Sequence, residues 1–362
     1  MTRAASASIS ERVRVPFVAW RSPRLILVAL LVLLIVSALA ATTIGAAGIP
    51  IGRLLAAFGL TDGDPARIAP DRLVLWSIRL PRIALAMMVG GLLATSGAIM
   101  QGLFRNPLAD PGLVGVSSGA GLVVAATIVW ADRVSHATGV SVPIEILPLA
   151  AFVGALATTL VLYRIATRGG RTSIVAFLLG GLAVAALTNS ATGLLIFAAD
   201  DRQLRDITFW TLGSLAGATW AKTASLLPFL ALTLLAMPVI ARGLDLLSLG
   251  ESEAYHSGIA VEWLKRGCIV LVSAAAGASV ALCGVIGFVG IIVPHLLRLL
   301  IGPGHRLLLP AAVLLGAALL LIADTLARIV VAPAELPIGI ITALVGAPFF
   351  LYLLLQRRWI VS

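Results

Sequence analysis

Apolar residues run in membrane-length blocks along almost the whole chain, and short breaks rich in Arg, Asp, Gly and Pro separate them. About 20 apolar residues are what an α-helix needs to cross a bilayer. Ten such runs are legible, at about 25–45, 80–102, 112–130, 144–163, 173–197, 221–241, 265–283, 286–301, 307–330 and 337–355. The eighth is short and contains Pro294, so nine spans, or eight with a re-entrant segment, also fit the pattern. The first run follows Arg12, Arg14, Arg21 and Arg24 as a signal peptide would, but it is long enough to span and is read as an uncleaved first helix. The pattern therefore predicts an all-α polytopic membrane protein with one transmembrane domain over 25–358, flanked by tails at 1–24 and 359–362.

Within the second run Gly90, Ala94, Ala98 and Gly102 recur every four residues, and in the last run Gly339, Ala343 and Ala347 do the same. Small residues at this spacing let a neighbouring backbone come close, so a compact bundle is expected. Gly97 and Pro107 stand ten apart in the first half, as Gly284 and Pro294 do in the second, a faint sign of two related halves. The break "LFRNPLADPGLVG" at 103–115 sets Arg105, Asn106, Pro107, Asp110 and Pro111 between two apolar runs. The prolines stop the helices from fusing, and Asn106 and Asp110 can bond the backbone groups that the break frees.

Composition agrees: of 362 residues, 60% are hydrophobic and 12% charged, where a soluble domain has about half and about a quarter. The net charge of +10 suggests no nucleic-acid partner, because the basic residues sit in short loops and tails rather than on one face. With ten spans and an inside N-terminus, 16 of the 26 Lys and Arg fall on the cytoplasmic side, which favours two cytoplasmic termini. The exception is the first external loop and the helix start after it, where Arg53, Arg67, Arg72, Arg79 and Arg82 cluster. Cys268 and Cys283 lie in or beside one predicted helix and suggest neither a disulfide scaffold nor a metal site.

No phosphate-binding G-x-x-x-x-G-K-[ST] loop, nucleophile elbow or H-E-x-x-H is present, so the chain is expected not to be an enzyme, to hydrolyse no nucleotide and to bind no cofactor. The clearest deep acid is Asp324, with Arg328 four residues on, the spacing of a same-face ion pair. A carrier lacking both an ion relay and a nucleotide site must take its energy from a partner. Residues 242–266, "RGLDLLSLGESEAYHSGIAVEWLKR", offer a place for one: an amphipathic turn with Leu244, Leu246, Leu247 and Leu249, then a Gly-bounded acidic helix with Glu251, Glu253 and Glu262. On the outer side Arg79, Arg82 and Arg328 form a rim that suits either lipid headgroups or the acidic residues of a docking protein.

Several stretches, "RLPR" at 79–82, "SGAIMQGLFRNPLADPGLVGVSSGAG" at 96–121, "LGESEAYHSGI" at 249–259, "GFVGIIVPHLLR" at 287–298 and "AELPIGIITALVGAPFFLYLL" at 334–354, resemble the permease subunits of type II ATP-binding-cassette importers for iron-siderophores, haem and vitamin B12. The resemblance covers nearly the whole chain. It implies ten helices, a homodimer with the path at its interface, two ATPase subunits that use ATP and Mg, a periplasmic binding protein, and the bacterial inner membrane. It implies that Arg79, Arg82 and Arg328 meet glutamates of the binding protein, and that Leu249, Gly250, Glu251, Ala254 and Gly258 belong to a coupling helix within a coupling segment over 242–264. Tyr255 and Ser257 depart from the arginine and leucine more typical there. It further implies a cytoplasmic gate at Asn106, Leu108, Thr172 and Ser173 and a structural role for His295; His136, His256 and His305 are read as loop histidines. The external segment "FAADDRQLRDITFWTLGSLAGATW" at 197–220 looks most like haem importers, with ferric siderophore and cobalamin as the other cargoes. Two further classes stay open beside it: an ion-coupled secondary transporter that would depend on Asp324, and a non-transporting scaffold.

Overall fold

The computed structural model describes residues 23–45, 49–62, 64–139, 143–169 and 171–356. The tail up to residue 22 and the basic pair Arg357 and Arg358 lie outside the described residues, as does the side chain of His136. Each apolar run becomes a helix: α1 (Pro23–Thr43) first, then, after two short helices α2 (Ile51–Ala57) and α3 (Pro65–Val74), the long α4 (Leu80–Leu103). There follow α5 (Val116–Thr138), α6 (Leu147–Ala166), a hairpin of β1 (Thr167–Arg168) and β2 (Arg171–Thr172), α7 (Ile174–Phe197) and the short α8 (Asp201–Leu212). The chain finishes with α9 (Trp220–Leu247), α10 (Glu251–His256), α11 (Val261–Cys283), α12 (Val289–Ile301), α13 (His305–Ile329) and α14 (Ile338–Gln356). Among the described residues seven helices are long and apolar enough to cross a membrane, and three shorter apolar ones, in α5, α12 and α14, complete the ten.

The pattern missed α2, α3 and α8, which lie in the loops and are too short or too polar to register as spans. Their ends carry ordinary local signals. Asp64 accepts from the Ala66 N–H at 3.0 Å ahead of Pro65, and at α8 Asp200 and Gln203 bond each other's backbone N–H at 2.8 and 3.2 Å. Arg53 on α2 holds Asp71 on α3 through two bonds of 2.7 and 2.5 Å.

α4 is the axis of the bundle and is buried over nearly its whole length. The small-residue stripe explains how. A methyl on Gly90 would stand 2.2 Å from the Gly316 carbonyl of α13, and one on Gly97 would stand 2.0 Å from the Gly290 carbonyl of α12, so these helices touch backbone to backbone. Gly339 of the second stripe is packed in the same way: a methyl there would stand 2.2 Å from the Leu212 carbonyl at the end of α8.

Pro294 does not break the eighth run. It sits inside α12, where it cannot donate the hydrogen bond that the Gly290 carbonyl four residues back would receive. The Gln101 Nε2 of α4 donates to that carbonyl at 3.0 Å, and Gln101 Oε1 accepts in turn from Arg298. A side chain from the neighbouring helix thus replaces the backbone bond, and α12 runs on for 13 residues.

Candidate docking, coupling and gate sites

Arg79, Arg82 and Arg328 come together at one end of the bundle. Arg82 opens α4 and its guanidinium is clamped: Nε and Nη2 reach Asp324 on α13 at 3.0 and 2.8 Å, while Nη1 reaches both oxygens of Glu335 at 2.9 Å. Arg328 forms the expected same-face pair with Asp324, at 3.2 Å. Asp324 is 1% exposed, so both arginines spend charge on a carboxylate withdrawn from solvent.

Arg79 and Arg328 have a second task. The last carbonyls of a helix lack partners within the helix. Arg79 Nη1 donates to the Thr42 carbonyl at the end of α1, and Arg328 Nη1 donates to that of Ile44 at 3.3 Å, with Gly45 packed against both guanidinium groups. Cations at a helix C-terminus also complement its dipole. Arg79 is 5% and Arg328 8% exposed. The rim is therefore a partly neutralised cluster, with Arg82 and Arg328 paired to Asp324 and Glu335 and Arg79 turned to the end of α1, rather than a row of arginines standing in solvent. Glu335, which closes the clamp, was not singled out in the sequence; it lies 253 residues from Arg82, and no local spacing signals such a pair.

At 24 residues and about 1.5 Å per residue, α4 sets the other candidate residues about 36 Å away. Just beyond its end Arg105 takes a left-handed backbone turn, φ 48°, and Asn106 Oδ1 accepts from the Leu108 N–H at 3.0 Å. Asp110 performs the same local bonding toward Gly112, at 2.8 Å, and burial holds its carboxyl above the usual carboxylate range. The break is thus stitched by its own side chains, as its residue types suggest.

The second gate segment meets the first. Thr172 and Ser173 end the β hairpin and start α7, where Ser173 Oγ accepts from the Ala176 N–H at 3.2 Å. One turn into α7, the ring of Phe177 packs against Phe104 at 5.6 Å, so Asn106 and Thr172 sit on linked supports. Ser173 is exposed and Thr172 buried, with Asn106 and Leu108 between those limits.

The coupling segment differs in extent from its reading in the sequence. α9 continues through Leu247, so Leu244 and Leu247 are fully buried in the end of a long helix rather than in a separate turn. α10 is six residues, Glu251–His256, and Glu262 falls in the first turn of α11 instead. Gly250 and Gly258 bound α10 with φ of 137° and 84°, values that a side chain resists. Ala254 is fully buried and seats this short helix, while Leu249 and Tyr255 point outward, 69% and 70% exposed. A small anchored helix with apolar and aromatic side chains at its surface is suited to insert into a partner's cleft.

Of the histidines, His295 packs its ring on Phe349 at 5.8 Å. His305 is not a loop residue: it opens α13, buried, with its Nδ1 and its backbone nitrogen each 2.8 Å from Asp245 Oδ1. Among the described residues no group of three His, Cys, Asp or Glu is arranged to hold a metal ion.

A family model, that of the FecCD transport family, matches residues 23–356. The chain belongs to the FecCD transport family. The resemblance to type II importer permeases drawn from the motifs is thereby borne out over nearly the whole chain. Among its relatives is the hemin transport system permease protein HmuU of Yersinia pestis, 43% identical over 93% of this chain and 97% of that one. The cobalamin import system permease protein BtuC of Halobacterium salinarum is 43% identical over 79% of this chain and 74% of its own. The vitamin B12 import system permease protein BtuC of Escherichia coli is 41% identical over 79% and 85%. A solved structure described as an inward-facing conformation of a metal-chelate type ABC transporter superposes with a TM-score of 0.79 at 32% identity, covering 92% of this chain and all of that one. This family member is accordingly a multi-pass membrane permease with the ten-helix architecture described above.

Proposed function

We propose that the chain is the membrane-spanning subunit of an importer that carries haem into the bacterial cytoplasm. Two copies enclose the path at their interface, two separate ATPase subunits bind at the α10 end, and a periplasmic binding protein docks at the arginine end. Both chain termini are cytoplasmic, and ATP and Mg are consumed by the partners. The observation that favours haem is the 43% identity to the hemin permease over 93% of this chain, against 39% to a vitamin B12 permease of Klebsiella pneumoniae over the same share. Ferric siderophore and cobalamin are the alternative cargoes of the same machine. The geometry is consistent with the scheme: α7 buries only Phe177 and Gly181, leaving an apolar face for a second copy, and the Asn106 and Thr172 turns stand together at the end where α10 lies.

The test is reconstitution. Proteoliposomes holding this chain, its cognate ATPase subunits and the binding protein should accumulate hemin on internal ATP and leave cyanocobalamin outside. Uptake of cyanocobalamin alone would reassign the cargo, and no ATP-driven uptake of any cargo would sink the importer reading.

Docking is separable from structure at one position. Substituting Arg82 or Arg328 disturbs the Asp324 clamp as well, whereas Arg79→Gln removes a charge of the rim and leaves that clamp in place. Arg79→Gln should weaken binding-protein association several-fold at low salt, and the difference should shrink as the screening length falls from about 10 Å at 0.1 M to about 3 Å at 1 M. Equal affinity at low salt would leave Arg79 as a helix cap only.

A further inference from the structure

One of only two lysines in the chain, Lys265, lies at the start of the second turn of α11 and is 3% exposed. A long cation beside an aqueous end would ordinarily extend to water; this one is turned inward and fully engaged. Its Nζ is 2.9 Å from Glu251 Oε2 on α10, 3.0 Å from Glu262 Oε1 on its own helix and 3.4 Å from the Thr172 carbonyl on the β hairpin. An ammonium has three protons to donate, and each has an acceptor here, on three different elements.

Glu262 completes the link. While one oxygen meets Lys265, the other accepts from the Thr172 N–H at 3.0 Å, so the N–H and the carbonyl of Thr172 are both held by side chains of α11. The residue after Thr172 caps α7, and its N–H is bonded to the Ala166 carbonyl at the end of α6. α10 itself is six residues long, seated by Ala254, and its first residue carries the bond to Lys265.

We infer that Lys265 is the joint by which movement of α10 is delivered to the hairpin and the start of α7. This rests on the reading of α10 as the ATPase contact and of Thr172 and Ser173 as gate residues. When a partner shifts α10, Glu251 carries the ammonium with it, and the ammonium draws both Glu262 and the Thr172 carbonyl. Coupling here has a physical carrier, a chain of charge-assisted bonds, instead of proximity alone. Lys265 is thus a positioning residue, which touches neither cargo nor nucleotide.

The experiment compares hydrolysis and hemin uptake in the full reconstituted complex. The unsubstituted complex is measured first, since absence of ATP-driven uptake there overturns the importer reading and the joint with it. Given uptake, Lys265→Met should leave complex assembly and ATP hydrolysis in place while uptake per ATP falls by about tenfold, within the usual range for linked sites. Lys265→Arg, which can still bridge two carboxylates, should restore most of that ratio. A merely structural lysine would lower assembly and leave the ratio unchanged, and that result overturns the joint. Should Lys265→Met fail to assemble, Glu262→Gln decides: it is isosteric, keeps an acceptor for the Thr172 N–H and loses the ion pair. A lowered ratio for Glu262→Gln supports the joint, and an unchanged one refutes it.

Discussion

Asp324→Asn should destabilise the folded protein by about 3 kcal/mol, the scale for removing one partner of a buried ion pair, and lower its melting temperature in detergent. Asp324 is 1% exposed and neutralises Arg82 at 2.8 Å and Arg328 at 3.2 Å. Asparagine has nearly the same shape, so the loss is one of charge rather than of packing. Arg82 would retain Glu335, but Glu335 is 43% exposed and cannot replace a carboxylate at the helix interface. Arg328 would keep its weak bond to the Ile44 carbonyl and lose its counter-charge. The same substitution separates two mechanisms. An ion-coupled carrier using Asp324 as its relay would show no uptake even by the Asp324→Asn protein that remains folded. In the ATP-driven reading the surviving folded fraction still transports.

Gly97→Ala should be comparably damaging, for a steric reason. Its methyl would lie 2.0 Å from the oxygen and 2.4 Å from the Cα of Gly290, and these are backbone atoms that no rotamer change can remove. α4 and α12 would have to separate, disturbing the Gln101 bond to the Gly290 carbonyl on which the helix around Pro294 depends. Overpacking of this kind costs about 1–3 kcal/mol, and the upper end is expected here. Gly267→Ala is the matched control, since nothing lies within 4 Å of the added methyl and alanine is the better helix former. Melting curves of the two variants side by side should show a large fall for Gly97→Ala and none for Gly267→Ala. Equal curves would mean that the glycine contact is not what sets the packing of α4.

The bundle was legible because bilayer-crossing helices must be apolar over a fixed length, and that requirement writes itself into consecutive residues. The Gly90 stripe and the Asp324–Arg328 pair were legible for the same reason, being periodic within one helix. What escaped was non-local. Arg82 and Glu335, or Glu262 and Thr172, are joined only after helices distant in sequence have packed. His305 looked like a loop residue because the short polar break before it hides that it caps into Asp245, 60 positions earlier. α8 reads as loop, since 12 residues with four charges in their first half match no spanning pattern. The extent of α10 is hidden in the sequence because α9 and α11 carry their helical pattern past the apolar runs, which places Glu262 in α11.

The contacts around α4 also set where the molecule can change shape. Where Gly90 and Gly97 place main chain on main chain, there is no layer of side chains to rearrange, and so no inexpensive alternative packing. α7, with Phe177 and Gly181 as its only buried residues among those described, has fewer such commitments and packs on α5 and α6 through partly buried side chains. Parting α4 from α12 or α13 would therefore break backbone contacts, whereas a displacement that begins at the start of α7 meets only side chains, which can repack.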